Sequence, residues 1–243
     1  MKIFGVDFYE GTKEDLYADV KQRICDKVKT RIAFCDLNML GEISSNIEFR
    51  KKLANFEIVT ADGSSVAIIN KLFSKSKGLR RIPGPDFFKM FIERNESVSQ
   101  FLFGSTQITL DLCVNKISKY TNIKTAGFLS PPFEKTFSEA TINQLKDTLN
   151  TSKPDMLWVS LGCPKQENFI DKYYKSLDAS VIAAVGAALD FYATTVKRAP
   201  KLFRLLGLEF LYRFIKQPRT VKRIFKGLIR VMVNLKYINK EHY

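Results

Sequence analysis

A short segment of the chain, GCPKQE at residues 162–167, joins an apolar run to a helical pattern and carries side chains suited to ligand binding. Gly162 allows a tight turn after the apolar run, and Pro164 fits the first turn of a helix, where its missing N–H costs little. Gln166 can both donate and accept hydrogen bonds, which suits sugar hydroxyls or the edge of a base. Glu167 is interpreted as a complement to the helix dipole. The segment therefore predicts a ligand-binding turn in which Gln166 reaches the ligand.

Three other strand-like runs end in polar or glycine-containing residues of the same kind. In parallel α/β sheets, ligands bind beyond the carboxyl ends of strands, where helix N-termini present N–H groups to negative charge. One such run alone is an ordinary turn, but four at one edge predict a phosphate-bearing or nucleotide ligand. Neither GxGxxG nor GxxxxGK[ST] occurs, so a standard dinucleotide fingerprint or P-loop is not supported. The three runs are TADGS at 60–64, FGST at 103–106 and VGA at 185–187.

Acid–base chemistry in this chain has to rest on residues other than histidine. The single histidine, His242, is the penultimate residue and is interpreted as part of a solvated tail. This excludes Ser-His-Asp and Cys-His nucleophile schemes and histidine-bound zinc. No D-x-D pair occurs, so the usual carboxylates for a donor-bound Mg²⁺ or Mn²⁺ are missing. Carboxylates, tyrosines, lysines and cysteines are the candidates.

Short apolar runs alternate with longer helical patterns and predict the elements that position these residues. The alternation indicates an α/β fold with a Rossmann-like, mainly parallel sheet and helices on both faces. The predicted strands span residues 2–8, 31–36, 56–61, 100–103, 125–129, 156–161 and 181–185, and the predicted helices span 13–28, 43–55, 64–73, 85–95, 107–120, 139–149 and 166–177.

The net charge of +14 is concentrated in the C-terminal fifth of the chain. Residues 197–243 hold thirteen Lys or Arg and two acids, and large apolar residues recur there at helical spacing on both sides of Pro218. We therefore predict an α/β catalytic domain over 1–195 and a basic amphipathic helical appendage over 196–243. The preferred interpretation of the appendage is a helical cap on the catalytic domain that also contacts an anionic membrane surface. A cap whose charges are merely solvated ranks second, and a nucleic-acid-binding site ranks third.

Other features predict a cytoplasmic protein that crosses no membrane. The four cysteines are far apart and lack metal-ligand spacing, as expected for reduced thiols. The N-terminus lacks an apolar core of signal-peptide length, and no stretch approaches the ~18 uncharged apolar residues of a spanning helix.

Several motifs, in order along the chain, resemble those of the WecG/TagA/CpsF glycosyltransferases. The combination of LGxPKQE with a GLEFLYR-like tail carries the resemblance, which runs from about residue 30 to residue 223. The motifs are TADG at 60–63, RRIPGPDFF at 80–88, PDMLWVSLGCPKQE at 154–167 and GAALDFYATTVKRAPKLFRLLGLEFLYRFIKQPRTVKR at 186–223.

The resemblance implies an inverting, metal-independent glycosyltransferase that uses no cofactor. Its donor substrate would be a UDP-sugar carrying, for example, ManNAc, ManNAcA or glucose. Its acceptor would be a polyprenyl-diphosphate-linked saccharide at the inner face of the bacterial plasma membrane, in exopolysaccharide, capsule or teichoic acid synthesis. Arginines, lysines and helix N-termini would then meet the diphosphate charge.

The resemblance also assigns roles to residues. Asp62 of the DG motif is the expected general base, since a carboxylate at a strand end can take the proton of an acceptor hydroxyl. The alternative is an Asp-Gly turn that caps the next helix. Arg213 and Arg219 are the strongest candidates for tail arginines that hold diphosphate. The residues expected to bind substrate are Asp36, Asn38, Gly63, Arg81, Gly84, Asp86, Gly104, Gly162, Lys165, Gln166, Gly186, Asp190, Arg198, Arg213, Arg219 and Arg223.

Four positions depart from the family pattern. Phe34 and Asp36 stand where members commonly have threonine and asparagine, Ser65 replaces a glycine, and Ala193–Thr194 replaces another. These changes touch the predicted pocket lining, so they leave the identity of the donor sugar open.

Alternatives stay open for residues and for the whole chain. Arg81 and Asp86 could form an internal ion pair or a helix cap, and Asp190 could be architectural. The chain could be a non-catalytic, nucleotide-binding membrane adaptor or, ranked lower, a nucleic-acid-binding protein. The apolar faces of the tail could also pair two copies in a homo-oligomer instead of meeting lipid.

Overall fold

The structure is a computed structural model that describes residues 1–73, 78–200, 203 and 218–239, with side chains from residue 222 onward in the last segment. Strands and helices alternate along most of this part of the chain. The strands are β1 (Lys2–Ile3), β2 (Val6–Asp7), β3 (Thr30–Cys35), β4 (Ile58–Ala61), β5 (Ser99–Gly104), β6 (Lys124–Leu129), β7 (Met156–Ser160) and β8 (Val181–Ala184). The helices are α1 (Lys13–Cys25), α2 (Leu37–Ser45), α3 (Ile47–Ala54), α4 (Ser64–Phe73), α5 (Gly84–Glu93), α6 (Gln107–Ile117), α7 (Glu139–Ser152), α8 (Lys165–Tyr173), α9 (Ala188–Ala193) and α10 (Pro218–Asn234).

Six of the strands form one sheet in the order β4-β3-β8-β7-β5-β6. The β5–β6, β5–β7 and β7–β8 pairs are parallel. All five residues of β7 are buried, as expected for a strand covered on both faces. The predicted Rossmann-like α/β fold is confirmed.

The chain forms two compact units. Unit 1 comprises Met1–Thr12, Ala33–Pro83 and Lys197–Tyr243, and unit 2 comprises Lys13–Ile32 and Gly84–Val196. The predicted division into 1–195 and 196–243 stays a prediction.

Aromatic side chains fill the core of unit 2 around Trp158 of β7. Trp158 is fully buried, and its ring centroid lies 4.9 Å from that of Phe88 and 5.5 Å from that of Phe91 on α5. Its indole N–H donates to the Gln100 Oε1 at 2.5 Å, so the polar atom is satisfied inside the core. This packing holds β7 against α5.

Helix α10 of unit 1 packs closely on α2 of the same unit. Gly227 of α10 is so near the start of α2 that a Cβ there would lie 2.6 Å from the Leu37 carbonyl oxygen. Arg230 of α10 forms an ion pair with Glu42 of α2, and Val231 is fully buried. One side of α10 is therefore packed against α2.

The other side of α10 is exposed and mixes cations with apolar side chains. Lys222 and Lys226 are exposed on it, and the exposed fractions of Phe225, Met232 and Val233 are 62%, 51% and 70%. No helix among the described residues combines the length and apolar character needed to span a bilayer.

Two element predictions are wrong. Residues 2–8 form a two-stranded antiparallel hairpin instead of one strand, because Phe4 and Gly5 turn the chain with φ of 48° and 78°. The predicted helix over 43–55 is two helices, because Asn46 ends α2 and its side chain accepts the Phe49 N–H as the N-cap of α3.

Candidate active site

Asp62 follows β4 directly, and hydrogen bonds fix its main chain on both sides. Its N–H donates to the Cys35 carbonyl at 2.9 Å, and its own carbonyl accepts a hydrogen bond from the Arg81 Nε at 2.9 Å. The Arg81 backbone forms a parallel β-bridge with Ala61. The structure thus brings together two predicted site residues, and Gly63 continues the same turn. The Asp62 residue is partly exposed.

Asp36 and Asn38 lie at the start of α2 in unit 1. The Asp36 carboxylate accepts the Met39 N–H at 2.8 Å, so it is the N-cap of α2. Asn38 is buried, with an exposed fraction of 8%. Asp36 therefore has a structural function at this turn, and the predicted contact of both residues with substrate stays a prediction.

In unit 2, Gln166 lies between two glycine turns that end neighbouring strands. Its Oε1 accepts the N–H groups of Gly162, after β7, and of Gly186, after β8, each at 3.1 Å. Its Nε2 donates to the Glu167 carboxylate at 2.8 Å. The structure therefore brings together three predicted residues, Gly162, Gln166 and Gly186, through the side chain of one of them.

Lys165, the first residue of α8, reaches toward the loop before α7. Its ammonium donates to the Glu134 carbonyl and lies 3.9 Å from the ring centroid of Phe137. Burial lowers the pKa of the Lys165 ammonium, and the nearby Glu134 carboxylate acts in the opposite direction. Contact between Lys165 and substrate stays a prediction.

Asp190 holds the turn that follows β5. Its Oδ1 accepts hydrogen bonds from the Ser105 hydroxyl at 2.7 Å and the Thr109 hydroxyl at 3.3 Å. Ser105 follows the predicted site residue Gly104 and has a φ of 56°, a conformation that a non-glycine residue adopts only where its surroundings hold it. Asp190 therefore fixes a strand-end turn 85 residues earlier in the chain.

Cys113 lies near Asp190 but is not suited to acid–base chemistry. Its thiol is buried and donates to the Leu189 carbonyl at 3.3 Å. Burial raises the pKa of the Cys113 thiol to about 12, and the neighbouring Asp190 carboxylate adds to the rise. The thiol stays protonated at neutral pH.

Comparison with known proteins assigns the chain to a family. Residues 1–242 match the family described as "Glycosyl transferase WecG/TagA/CpsF family". The chain belongs to the WecG/TagA/CpsF family. It is therefore a glycosyltransferase, as the motifs predicted.

Two relatives of the WecG/TagA/CpsF chain are bacterial enzymes with the same printed name, N-acetylglucosaminyldiphosphoundecaprenol N-acetyl-beta-D-mannosaminyltransferase. The relative from Bacillus spizizenii is 27% identical over 208 residues, which cover 83% of this chain and 78% of the relative. The relative from Bacillus subtilis is 31% identical over 175 residues, which cover 71% of this chain and 66% of the relative.

The remaining predicted residues of this WecG/TagA/CpsF chain have less defined positions. Gly84 is the buried first residue of α5, and Asp86 lies in the first turn of that helix, where a carboxylate complements the helix dipole. Arg198 is partly buried, and Arg223 is exposed on α10. Arg213 and the Arg219 side chain lie outside the described residues.

Three residues beside the predicted site residues have hydrogen-bond partners that the sequence does not indicate. Glu167 lies in the first turn of α8, as its interpretation as a dipole complement requires, and it is also fully buried and accepts a hydrogen bond from the Gln166 Nε2. The Ser105 hydroxyl donates to the Asp190 carboxylate and holds the turn after β5. The Ser160 hydroxyl donates to the Gly186 carbonyl at 2.5 Å and holds the turn after β8. A serine at or just after the end of a strand is the signal for each, and it does not indicate the partner.

In the part of the chain that the structure describes, no group of three or more acidic, cysteine or histidine side chains lies close enough together to hold a metal ion.

Proposed function

We propose that this glycosyltransferase moves a sugar from a UDP-sugar to a polyprenyl-diphosphate-linked saccharide, with inversion and without a bound metal. The match to the family over residues 1–242 carries the proposal. The names of both Bacillus relatives support the acceptor class, because each specifies an N-acetylglucosaminyl-diphosphoundecaprenol and the transfer of N-acetyl-β-D-mannosamine. ManNAc is therefore the first donor sugar to test for this chain.

Asp62 is proposed as the general base that takes the acceptor hydroxyl proton as the oxygen attacks the anomeric carbon. Its position supports this role, because the main chain is held by Cys35 and Arg81 while the residue itself is partly exposed. A base on a fixed backbone needs little reorganisation during the reaction.

Charge on the donor diphosphate is proposed to be met by cations of the chain. Arg81 lies beside Asp62, and Arg198, Arg213, Arg219 and Arg223 are the proposed tail contributors. The guanidinium group supplies paired N–H donors that match phosphate oxygens.

The first experiment is a transfer assay with a short-chain polyprenyl-diphosphate GlcNAc acceptor and a panel of UDP-sugars, in the presence of EDTA. We expect β-linked product from at least one donor, UDP-ManNAc first, at a rate that EDTA does not change. If EDTA abolished the activity and Mg²⁺ restored it, the proposed metal independence would be contradicted. UDP binding without product from any donor would favour the adaptor alternative.

We further propose that the protein is peripheral at the cytoplasmic face of the membrane and that α10 contacts anionic lipid. The exposed side of α10 combines the cations Lys222 and Lys226 with the apolar Phe225 and Val233. Basic residues near an anionic surface contribute about 1 kcal/mol each, and apolar side chains can enter the interface.

Vesicle binding tests this contact. We expect the double variant Lys222→Ala/Lys226→Ala to bind vesicles containing anionic lipid more weakly by about 2 kcal/mol, or roughly 30-fold, in a sedimentation assay. The matched control is Lys119→Ala/Lys124→Ala, which removes two exposed lysines of unit 2 and should leave binding unchanged. Equal losses in both variants would indicate a non-specific charge effect.

A further inference from the structure

Gln166 and Glu167 are adjacent polar residues that are both enclosed at the start of α8. Their exposed fractions are 3% and 0%. Burying an amide and a carboxyl is favourable only where hydrogen bonds replace water. The Gln166 Nε2 meets this condition by donating to the Glu167 Oε1 at 2.8 Å, and its Oε1 by accepting two N–H groups.

These partners permit one orientation of the Gln166 amide. If the amide were rotated by 180°, its NH₂ group would face the N–H donors of Gly162 and Gly186, and its oxygen would face the Glu167 carboxylate. That arrangement would replace three hydrogen bonds by donor–donor and acceptor–acceptor contacts. The Glu167 carboxylate and the two glycine N–H groups therefore favour the same orientation of the amide.

The amide in turn holds two strand-end turns together. The Gln166 backbone N–H donates to the Gly162 carbonyl at 3.0 Å, so Gly162 is bound at both its N–H and its C=O. Gly186 is also bound at both groups, because its carbonyl accepts the Ser160 hydroxyl at 2.5 Å. One side chain thus links the ends of β7 and β8 to the start of α8.

Both glycines border open space. Their φ values are 77° and 54°, in the left-handed region that glycine tolerates. Apart from the glycine itself and its two chain neighbours, no described residue has an atom within 4 Å of the position that a Cβ would occupy on either one. Within the part of the chain that the structure describes, the space in the Cβ direction of each glycine is therefore unoccupied.

We propose that Glu167 and Gln166 are a pair of positioning residues: the buried carboxylate orients the amide, and the amide oxygen holds Gly162 and Gly186 beside the donor. Gln166 then acts on the substrate through the two turns instead of by direct contact. The contact of these turns with a UDP-sugar rests on the proposed function. The hydrogen bonds by which Gln166 holds the turns do not depend on that function.

Amide hydrogen exchange of the ligand-free protein tests the hold on the turns. We expect Gln166→Met, which keeps the length of the side chain but removes its hydrogen bonds, to speed exchange at Gly162 and Gly186 by about tenfold. Gln22→Met is the matched control, because Gln22 is an exposed glutamine of α1 that bonds to Asp26. The control should leave both amides unchanged.

Swapping the residue types at positions 166 and 167 distinguishes a positioning role of Gln166 from direct contact with the substrate. Gln166→Glu alone places two carboxylates side by side and should release the turns. In Gln166→Glu/Glu167→Gln, the carboxylate at 166 can accept both glycine N–H groups and the new amide at 167, so protection should return. UDP affinity, measured by calorimetry, should fall in Gln166→Glu and recover in the double variant.

Several outcomes would contradict the proposal that Glu167 and Gln166 are positioning residues. Unchanged exchange in Gln166→Met would show that the amide does not hold the turns, and no recovery in the double variant would show that Glu167 does not orient position 166. If Gln166→Met does not fold, Glu167→Gln and the double variant report on the same two amides. Hydrogen exchange is measured without donor or acceptor substrate. Failure of every transfer assay would therefore contradict the proposed function but not the positioning role of Glu167 and Gln166.

Discussion

Asp62→Asn is expected to lower the turnover of sugar transfer by about 10²- to 10⁴-fold, the range that a general base contributes. Asparagine has nearly the same shape but cannot take a proton from the acceptor hydroxyl. The hydrogen bonds of Asp62 to Cys35 and Arg81 use main-chain atoms of residue 62, so the substitution should leave the turn in place. The measurement is kcat with UDP-ManNAc and saturating acceptor, alongside UDP affinity by calorimetry.

A control variant separates the loss of a base from a general effect of charge. Asp26→Asn removes an exposed carboxylate that bonds to Gln22 at the end of α1, and it should leave kcat unchanged. An unchanged kcat in Asp62→Asn would remove Asp62 from the mechanism. A large loss of UDP affinity with little loss of kcat would instead assign Asp62 to donor binding.

Gly227→Val is expected to destabilise the packing of α10 on α2 by about 1–3 kcal/mol, as for other over-packed sites. A Cβ on Gly227 would lie 2.6 Å from the Leu37 carbonyl oxygen and 2.9 Å from the Asn38 Cα. Both neighbours are backbone atoms, so a rotamer change cannot relieve the clash and the helix must shift. Faster hydrogen exchange over 222–234 and a lower urea midpoint would record the loss.

The same helix provides the control for this variant. Lys226→Val introduces the same side chain one position earlier, where the residue is exposed. It should change the urea midpoint little, since surface substitutions usually lie within about 0.5 kcal/mol. If both variants behaved alike, or if Gly227→Val had no effect, α10 would not pack on α2 in solution as described.

Most of the sheet could be predicted because its strands are short apolar runs with clear ends. The strand predicted over 156–161 is β7, Met156–Ser160, and the helix predicted over 64–73 is α4, Ser64–Phe73. The helix predicted over 43–55 was wrong because its start and its break depend on caps. Asp36 and Asn46 each accept an N–H three residues later, and their residue types alone also fit ordinary turns.

The candidate site was harder to predict because its hydrogen bonds join distant parts of the chain. The sequence shows that Gln166 can hydrogen-bond, but not that Gly186 lies at its oxygen. That contact exists because β7 and β8 are neighbours in the sheet. The bond from Ser105 to Asp190 also joins distant parts of the chain, since it links the residue after β5 to α9. Periodicity along the chain carries no information about such partners.

The division of unit 1 into three chain segments determines when it can fold during synthesis. Unit 2 has all its residues once Val196 has left the ribosome, whereas unit 1 still lacks everything from Lys197 onward. The Phe4 N–H donates to the carbonyl of Ile238, 234 residues later in the chain, at 2.9 Å, so this hydrogen bond can form only after Ile238 has been synthesised. The synthesis of unit 2 is therefore complete before that of unit 1, and the hairpin of β1 and β2 gains its carbonyl partner only with the last segment of unit 1.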